Sequence, residues 1–234
     1  MGEKSKQSPA ARSAKQAFSE CVLITGGTSG LGYECAATIA QAKPNALVLL
    51  ASRTDPGHAA DSLNAKLQHN NVRFLRLDLA SQTAIRAFAD DFSRADYPPL
   101  SALVLNAALQ VINGLTFSPE GIETGFAVNH LGSVLLLELL RPAMRDDARI
   151  VITASGVHDP EAVKGMGMPE PVYTTAERLA RPDPKTAGTT MVDGQRRYAT
   201  SKLCNVLFMH AFARRLKLAN SSMTVTAMDP GKNS

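Results

Sequence analysis

Thr25-Gly26-Gly27-Thr28-Ser29-Gly30-Leu31-Gly32 lies between the apolar run Cys21–Ile24 and the amphipathic stretch Leu31–Ala42. Its glycines allow the backbone to turn sharply, approach a ligand and pack a helix closely against a strand. The N-terminus of that helix would offer unpaired N–H groups and a positive dipole end to a pyrophosphate. The stretch therefore predicts a strand, a turn and a helix that bind a dinucleotide, and its alternative is a tight turn without a ligand.

Apolar runs alternate with amphipathic stretches along the whole chain. They predict strands at Cys21–Ile24, Ala46–Ala51, Val72–Leu77, Leu100–Leu105, Arg149–Thr153 and Met223–Met228. They predict helices at Leu31–Ala42, Ala59–Gln68, Ala84–Phe92, Gly121–Met144 and Arg197–Leu218. Strands that are apolar on both faces and joined by helical crossovers form a parallel sheet with both faces covered. The sequence therefore predicts an α/β fold in three layers (α/β/α), a doubly wound parallel sheet of the Rossmann type.

The composition suits one soluble-type α/β core. The 234 residues are 44% hydrophobic and 20% charged, which is neither a disordered nor a fibrous composition. We assign residues 19–234 to this domain and residues 1–18 to a flexible basic tail, with a short helix near Ala10–Phe18. The net charge of +4 suits an anionic ligand, and the absence of Trp removes a common stacking platform for nucleic acid. We expect no nucleic-acid partner.

Cysteine usage and hydropathy exclude several other classes of protein. Cys21, Cys35 and Cys204 are far apart and form no CxxC pair, which predicts reduced thiols and no metal site. No apolar run is long enough to span a bilayer, and the N-terminus lacks the apolar core of a signal peptide. We therefore expect a cytoplasmic protein without a transmembrane segment.

Tyr198-Ala199-Thr200-Ser201-Lys202 places a tyrosine and a lysine at i and i+4 on one face of a predicted helix. A free phenol has a pKa of about 10, and a nearby ammonium lowers that pKa because it stabilises the phenolate. Tyr198 would then exchange a proton with a substrate oxygen near neutral pH. Exposed helices also carry this spacing by chance, but its place after the fifth strand, downstream of a glycine turn, favours the acid–base interpretation.

These motifs, in this order, resemble the short-chain dehydrogenase/reductase family, whose cofactor loop reads Thr-Gly-x-x-x-Gly-x-Gly. The resemblance covers the chain from about Cys21 to Gly231. It implies an oxidoreductase that moves a hydride between a nicotinamide cofactor and a carbonyl or alcohol, with Tyr198 as general acid and base. By the same resemblance Lys202 binds the nicotinamide ribose, and members of the family are often dimers or tetramers, which implies a homo-oligomer.

The resemblance also assigns catalytic positions that the residues alone leave open. Ser155 follows the fifth predicted strand and matches the family's catalytic serine, which holds and polarises the substrate oxygen. Its alternatives are a turn or helix-cap serine, with Thr153 as a lesser rival for the role. Asn129, in Val128-Asn129-His130-Leu131-Gly132, matches a helix asparagine that supports an ordered water beside the lysine. Its alternative is an amide that satisfies the helix backbone.

Further cofactor positions follow from the same comparison. Asp78-Leu79 resembles the family's adenine-contacting pair, and the alternative for Asp78 is a helix cap. Asn106-Ala107 matches the centre of the family's Asn-Asn-Ala-Gly motif, whereas its neighbours Leu105 and Ala108 depart from it. Pro230-Gly231 matches the segment that follows the sixth strand.

The end of the second predicted strand selects between the two nicotinamide cofactors. An acidic residue there would bind the adenosine ribose diol and repel a 2′-phosphate. This chain instead has Ser52-Arg53, a hydroxyl and a guanidinium that suit a phosphate. We therefore predict NADP (NADPH) as the cofactor, and the alternative for Arg53 is an ordinary surface residue.

A long insertion, roughly residues 156–196, separates Ser155 from Tyr198. Insertions of this length resemble the retinol dehydrogenase and protochlorophyllide reductase branches, as do Asn-His-Leu-Gly at 129–132 and Ser-Lys-Leu-Cys-Asn-Val-Leu-Phe at 201–208. Long loops near active sites often shape a pocket or a lid. We predict that Val157–Met168 and Val172–Leu179 help to enclose an apolar carbonyl or alcohol substrate, and the alternative is a disordered surface excursion.

The chain ends at Asp229-Pro230-Gly231-Lys232-Asn233-Ser234. In the family, Pro-Gly precedes a segment that contacts the nicotinamide carboxamide, followed by a further strand and helix. We therefore expect a domain truncated at its C-terminus, with an open sheet edge. The alternative function is a non-catalytic NADP(H)-binding or interaction protein derived from such an enzyme.

Overall fold

The structure is a computed structural model that describes residues 18–231. The predicted tail, apart from Phe18, and the last three residues lie outside this range. Six strands form one parallel sheet in the order β3-β2-β1-β4-β5-β6. Their bounds are β1 Glu20–Thr25, β2 Ala46–Ser52, β3 Val72–Arg76, β4 Leu100–Leu105, β5 Met144–Thr153 and β6 Thr224–Met228.

Helices cover both faces of the sheet, which confirms the predicted three-layer, doubly wound Rossmann-type fold. The α-helices are α1 Gly30–Ala42, α2 Ala59–Leu67, α3 Gln82–Arg94, α4 Thr124–Phe126, α5 Gly132–Leu140, α6 Pro160–Met166, α7 Ala176–Ala180 and α8 Met191–Leu218. One core joins the sheet to α3, α5 and α8 through residues such as Phe88, Leu136 and Phe212. A second core joins the other face to α1 and α2 through Ala36, Ala40 and Leu63.

The sequence-based prediction of one helix over Gly121–Met144 is wrong. The segment begins at Thr124, widens into a π-helical turn at Ala127–Leu131 and continues as α5 to Leu140. A 3-10 turn, Arg141–Ala143, then carries Pro142, which cannot continue an α-helix because it lacks an N–H group and clashes with the preceding turn. Strand β5 therefore starts at Met144, five residues before the predicted start.

Helix α8 begins at Met191, six residues before the predicted start at Arg197. A capping box explains this boundary: the Thr190 hydroxyl accepts from the N–H of Asp193 at 3.2 Å, and the Asp193 carboxylate accepts from the N–H of Thr190 at 3.0 Å. Gly194 lies in the first turn of α8, and a glycine is unfavourable within a helix. In the structure it is needed because a Cβ there would lie 2.4 Å from the main-chain oxygen of Ile112.

The insertion after Ser155 contains packed helical segments. A 3-10 turn at Gly156–His158 leads into α6, whose Val163 is fully buried and packs with Val157 and Ala199. Helix α7 packs through Ala180 on a separate cluster next to α4. These contacts hold the insertion against α4 and α8, so it is not a disordered excursion. Within residues 18–231 no helix combines the length and the apolar character that crossing a bilayer requires.

Candidate active site

A cleft opens beside β1, where the strand order of the sheet reverses. Strands β2 and β3 lie on one side of β1, and β4, β5 and β6 lie on the other. Ligands of open α/β sheets bind at such a switch point, beyond the carboxyl ends of the strands. The cleft has a volume of about 470 Å³, within the usual range of ligand-binding pockets. The predicted cofactor residues that line it are Gly26, Thr28, Ser29, Leu31, Ser52, Arg53, Asp78, Leu79, Asn106 and Ala107.

Two glycines of the turn are required by close packing beneath the cleft. A Cβ on Gly32 would lie 2.3 Å from the main-chain oxygen of Gly26, a distance that no side chain tolerates. A Cβ on Gly26 would lie 3.0 Å from Cα of Ala107, and Gly26 also has a positive φ of 67°. The start of α1 therefore packs directly against the end of β1. Because these two positions carry no side chain, a ligand can approach the backbone of the turn.

The start of α1 keeps unused hydrogen-bonding capacity. Ser29 is the N-cap residue, yet its hydroxyl accepts no capping hydrogen bond. The first N–H groups of an α-helix have no partner within the helix. Since Ser29 and Leu31 both line the cleft, these donors lie where an anionic group would be bound.

Thr25 fastens the cleft wall formed by the residues after β4. Its hydroxyl accepts hydrogen bonds from the N–H groups of Asn106 at 2.9 Å and Ala107 at 3.0 Å, and donates to the carbonyl of Val104 at 3.3 Å. The side-chain amide of Asn106 donates in turn to the carbonyl of Thr25 at 3.1 Å. Thr25 is fully buried, so this residue of the turn has a structural role rather than a ligand-binding one.

The end of β2 places a hydroxyl and a guanidinium on the cleft. The hydroxyl of Ser52 is buried and has no hydrogen-bond partner within residues 18–231. Arg53 is exposed at the rim. The next acidic residue, Asp55, is directed to the start of α2, where its carboxylate oxygens accept from the N–H of Ala59 at 2.8 and 3.0 Å. The charge of Arg53 is therefore available to a ligand.

Asp78 follows β3 and lines the cleft without capping a helix. Its Oδ1 accepts from the N–H of Ala80 at 2.9 Å, which closes a short turn. The N-cap of α3 is Ser81, whose hydroxyl accepts from the N–H of Ala84 at 3.2 Å. The helix-cap alternative for Asp78 is therefore wrong.

The side chains of Tyr198, on α8, and Ser155, after β5, lie close enough to interact. Tyr198 is half-buried in an apolar cluster with Val157, Val163, Met168 and Ala199. Burial raises the pKa of Tyr198, the neighbouring Ser155 side chain lowers it, and the negative charge of Asp229 raises it. The net direction is opposite to the one that the Tyr–Lys spacing predicts.

The orientation of the Lys202 side chain explains why its ammonium does not lower the pKa of Tyr198. Its Nζ donates to the main-chain oxygen of Thr153 at 2.9 Å and lies 5.6 Å from the centre of the Tyr198 ring. The side chain is 2% exposed, and burial lowers the pKa of Lys202 to about 8. The ammonium therefore lies against the ring of Tyr198 rather than at its hydroxyl.

Asn129 lies in the π-helical turn and fixes the cleft wall to α8. Its side-chain amide accepts from the N–H of Leu109 at 2.8 Å and donates to the carbonyl of Leu109 at 2.9 Å. The same amide donates to the hydroxyl of Ser201 at 3.1 Å. The main-chain oxygen of Asn129 accepts from the amide of Asn205 at 3.0 Å, and Asn205 also bonds to Nδ1 of His130 at 2.8 Å. Every polar group of the Asn129 side chain is therefore used within the protein.

Two hydrogen-bonded routes connect the cleft to the Tyr198–Lys202 pair. One runs from Asn106 through the Thr153 hydroxyl, at 3.4 Å, and then from the Thr153 carbonyl to Lys202. The other runs from Leu109 through Asn129 to Ser201, which adjoins Lys202 in the chain. The cleft and the Tyr198–Lys202 pair are thus parts of one structural unit.

Some predicted site residues do not line the cleft. Gly30 has a φ of 53°, and a Cβ added to it would have no neighbour within 4 Å, so its role is conformational. Gly32 lies beneath the turn. Pro230 and Gly231 are exposed after β6. Tyr198 and Lys202 lie beyond the cleft and adjoin it through the routes described above.

Sequence reasoning missed three residues that shape the site. Leu109 lines the cleft and is held on both main-chain polar groups by Asn129. Thr153, a lesser rival to Ser155 on sequence grounds, contributes its carbonyl to Lys202. The negative charge of Asp229 raises the pKa of Tyr198, although the two residues are distant in sequence. Its signal was its position, directly after the last predicted strand, where side chains reach the carboxyl edge of a parallel sheet.

The insertion divides between two surroundings. Val157 and Met168 pack beside Tyr198. Val172 and Leu179 instead line a separate cavity of about 120 Å³ with Phe126, Arg197 and Thr200. The segment Val157–Met168 is therefore the part of the insertion that packs near Tyr198.

Metal-binding and thiol chemistry find no support in the described part of the chain. No group of three or more His, Cys, Asp or Glu side chains between residues 18 and 231 is arranged to hold a metal ion. The three cysteines are free. Burial raises the pKa of Cys21 to about 12 and that of Cys204 to about 11, so both thiols are protonated at neutral pH.

Solved structures share this fold over most of the chain. A metagenomic short-chain oxidoreductase in complex with NADP matches with a TM-score of 0.65 and 21% identity, over 93% of this chain and 85% of the other. A short chain dehydrogenase/reductase from Burkholderia phymatum in complex with NAD matches with a TM-score of 0.62 and 20% identity, over 91% of this chain and 65% of the other. At this level of identity the likeness shows the fold.

Sequence comparison gives the family. Protochlorophyllide reductase from Avena sativa is 32% identical over 222 residues, which are 90% of this chain and 70% of that protein. The chain spans 54% to 70% of the length of the plant protochlorophyllide reductases that it matches. The sequence profile of the short chain dehydrogenases matches residues 20–167, which include the glycine turn, Asn129 and Ser155. The chain therefore belongs to the short-chain dehydrogenase/reductase family of oxidoreductases.

Proposed function

We propose that this protein is an NADP(H)-dependent oxidoreductase that interconverts a carbonyl and an alcohol, with Tyr198 as the general acid and base. One observation carries the proposal. The side chains of Tyr198 and Ser155 lie together beside the buried ammonium of Lys202, and hydrogen-bonded routes tie this group to a cleft suited to a dinucleotide. An acid, a polarising hydroxyl and a cofactor cleft are the parts that such a reaction requires.

The residues of the cleft fit a nicotinamide dinucleotide. Gly26, Ser29 and the first turn of α1 supply a narrow turn and free donors for the pyrophosphate. Asp78 and Leu79 would contact the adenine, and Asn106 and Ala107 the adjoining ribose wall. When bound, the cofactor would supply or accept the hydride.

The preference for NADP(H) over NAD(H) rests on the end of β2. The buried hydroxyl of Ser52 has no partner within the described residues, and Arg53 is exposed beside it while the nearby Asp55 is directed elsewhere. A hydroxyl and a guanidinium suit a 2′-phosphate, whereas the ribose diol of NAD is bound by an acid. Of the two solved structures named above, one contains NAD and the other NADP. The preference is therefore argued from Ser52 and Arg53 alone.

The proton chemistry follows from the protonation states in the site. Burial keeps Tyr198 as a neutral phenol at neutral pH, because it raises the pKa of the hydroxyl, so Tyr198 can give its proton to a carbonyl oxygen. The hydroxyl of Ser155 would hold the same oxygen by a hydrogen bond. Lys202 would bind the nicotinamide ribose, and its lowered pKa of about 8 would allow it to exchange a proton near neutral pH. Asn129 would help to orient Tyr198 and Lys202, because its side chain is hydrogen-bonded to Leu109 and to Ser201.

The substrate surface next to Tyr198 is apolar. Val157 and Met168 from the insertion pack in the same apolar cluster as Tyr198. The ion pair of α6, between Glu161 and Lys164, is exposed to solvent. We therefore propose an apolar carbonyl or alcohol compound as substrate, enclosed in part by Val157–Met168.

A fluorescence titration with NADPH, followed by a panel of aldehydes and ketones, tests this function. NADPH binding with consumption of the cofactor is the expected result. Binding without consumption would favour the second candidate, an NADP(H)-binding protein without turnover, for which the orientation of the Lys202 ammonium away from the Tyr198 hydroxyl is the supporting observation. Absence of binding would contradict both.

A further inference from the structure

Two sequence motifs, Asn-His-Leu-Gly at 129–132 and Ser-Lys-Leu-Cys-Asn-Val-Leu-Phe at 201–208, meet in the structure through residues that the proposed reaction does not use. Nδ1 of His130 lies 2.8 Å from Oδ1 of Asn205, which is 75 residues away in the chain. Nδ2 of Asn205 donates to the main-chain oxygen of Asn129 at 3.0 Å. His130 and Asn205 are therefore the outer members of a hydrogen-bonded chain that ends on Asn129.

The hydrogen bonds of Asn205 determine which ring nitrogen of His130 carries a proton. A main-chain oxygen can only accept, so the part of the Asn205 amide that faces Asn129 must be its NH2 group. The amide oxygen then faces His130, and this oxygen is also only an acceptor. Nδ1 of His130 must therefore donate, which assigns the Nδ1–H form to the ring.

Burial makes this assignment matter. Asn129 is 2% exposed and Asn205 is 4% exposed, so neither can readily exchange its hydrogen bonds for bonds to water. If His130 lost its donor, the amide oxygen of Asn205 would be buried without a partner, which is costly. A rotation that exposed this oxygen would also withdraw the NH2 group from the Asn129 carbonyl.

The main chain that Asn205 contacts is the π-helical turn Ala127–Leu131. Helix α8 holds Asn129 at two points one turn apart, because Ser201 accepts from its side-chain amide at 3.1 Å and Asn205 donates to its main-chain oxygen. The same Asn129 amide binds both main-chain polar groups of Leu109, which lines the cleft. The position of the Asn129 amide, and with it the cleft wall, therefore depends on the main chain of the turn.

We propose that His130 is a positioning residue, which acts through Asn205 to hold the π-helical turn in the shape that directs the Asn129 amide to the cleft wall. The inference rests on the proposed function for its effect on cofactor binding, whereas its effect on structure is independent of that function. His130 is not one of the described residues that line the cleft, so its action is indirect.

His130 also packs as an aromatic ring, and this is the alternative explanation for its place in the fold. Its ring centre lies 5.2 Å from that of Phe126 and 6.2 Å from that of Phe208. Packing alone would be satisfied by another aromatic ring, whereas the hydrogen bond to Asn205 requires a donor at the position of Nδ1. His130→Phe therefore keeps the packing and removes the donor.

NMR of isotope-labelled imidazole nitrogens measures the proton position without cofactor or turnover. Burial lowers the pKa of His130 and the hydrogen bond with Asn205 offsets part of that effect, so the ring is neutral at neutral pH. The chain has five His residues, and the signals that disappear in His130→Phe are those of His130. We expect a protonated Nδ1 and a bare Nε2. A neutral ring with its proton on Nε2 would overturn the inference.

Hydrogen exchange at the Leu109 N–H, which donates to the Asn129 amide oxygen, measures whether the cleft wall is held. The N–H of Val72 donates to Asn64 in the same way, at 3.0 Å, away from the cleft. In His130→Phe we expect faster exchange at Leu109 and unchanged exchange at Val72. Unchanged exchange at Leu109, or equal acceleration at both sites, would contradict the inference, because the latter indicates general destabilisation.

Asparagine and glutamine at position 130 form a matched pair for a rescue experiment. Both remove the ring, but the NH2 group of asparagine reaches the position of Nδ1, whereas that of glutamine reaches the position of Nε2. His130→Asn should therefore restore slow exchange at Leu109, and His130→Gln should not. Glutamine is the better helix former, so helix propensity cannot account for a rescue by asparagine. Equal exchange in the two variants would overturn the inference.

Fluorescence titration with NADPH connects the structural effect to the proposed function. We expect affinity to fall roughly 3- to 10-fold in His130→Phe, as for the loss of one hydrogen bond, and to recover in His130→Asn. His210→Phe, the same substitution at an exposed position of α8, should leave the affinity unchanged. Wild-type affinity in His130→Phe would contradict the inference. A wild type that binds no NADPH would instead contradict the proposed function, and the proton position and the exchange at Leu109 would still decide the role of His130.

Discussion

Lys202 donates a hydrogen bond from its Nζ to the main-chain oxygen of Thr153 at 2.9 Å, and its side chain is almost fully buried. An ammonium in such surroundings is disfavoured because it loses its hydration, and one carbonyl replaces only part of it. Burial accordingly lowers the pKa of Lys202 from 10.5 to about 8. The protein therefore carries a destabilising charge at its candidate active site, and the stability of the fold depends on pH.

Stability should rise with pH through the window set by Lys202. Below pH 8 the lysine is charged in both the folded and unfolded states, and the folded state bears the full cost of burial. Between about pH 8 and 10.5 the unfolded state binds more protons, so the free energy of unfolding increases with pH. We expect this contribution to reach on the order of 3 kcal/mol.

Urea unfolding of the wild type and Lys202→Met at a series of pH values from neutral to about 10 isolates this effect, because other ionisable groups cancel in the comparison. The stability of the wild type relative to the variant should increase steadily above pH 8, the folded-state pKa of the lysine. A difference that stays constant over this range would mean that Lys202 keeps an ordinary pKa.

The architecture of this protein was predictable because its local signals agree. Apolar runs and the glycine turn place the first four strands and the first three helices close to their observed bounds. The errors occurred where tertiary contacts decide. The π-helical turn at Asn129 and the early start of β5 leave no mark in the apolar pattern, since both depend on partners distant in sequence.

Gly32→Ala should disrupt the cleft because the new Cβ would lie 2.3 Å from the main-chain oxygen of Gly26, which cannot move cheaply. We expect a loss of about 2–3 kcal/mol in stability and much weaker NADPH binding. Thermal unfolding and fluorescence titration measure both. Gly165→Ala in α6 is the matched control, since nothing lies within 4 Å of its Cβ, and it should bind NADPH normally. Equal effects in the two variants would contradict the packing argument.

Arg53→Asp should exchange the cofactor preference. The substitution removes a guanidinium suited to a 2′-phosphate and introduces an acid suited to the ribose diol. NADPH affinity should fall roughly 10- to 100-fold, as for the loss of charged hydrogen bonds, while NADH affinity is kept or improved. Arg86→Asp on α3, an exposed residue outside the cleft, makes the same charge change and should alter neither affinity. Titrations in which Arg53→Asp lowers both affinities alike would exclude the assignment.

Asn129→Leu should weaken cofactor binding because Leu109 would lose partners for both its N–H and its carbonyl. We expect a loss of about 2–4 kcal/mol in stability and a clear drop in NADPH affinity, since Leu109 lines the cleft. Asn64 makes the same double contact with Val72, at 2.9 and 3.0 Å, away from the cleft. Asn64→Leu should therefore cost similar stability without changing NADPH affinity. If both variants retained full affinity, Asn129 would have no part in shaping the cleft.

The candidate site was predictable from sequence only where a residue belongs to a contiguous motif. Tyr198, Lys202 and the glycine turn are each recognisable by their spacing. Leu109, Thr153 and Asp229 act through main-chain atoms or through charge across the sheet edge, and such roles emerge only when strands β4, β5 and β6 are placed side by side. The sequence also did not show that burial raises the pKa of Tyr198, because that burial depends on how distant segments pack together.

The removal of one oxygen tests the central claim, that Tyr198 is the proton donor of an NADPH-dependent carbonyl reduction. The measurement is NADPH consumption by the wild type and by Tyr198→Phe on the carbonyl substrate that the panel identifies. We expect the rate constant to fall roughly 100- to 10,000-fold while NADPH binds with unchanged affinity. A Tyr198→Phe protein that reduces the substrate at a rate near that of the wild type would contradict the account.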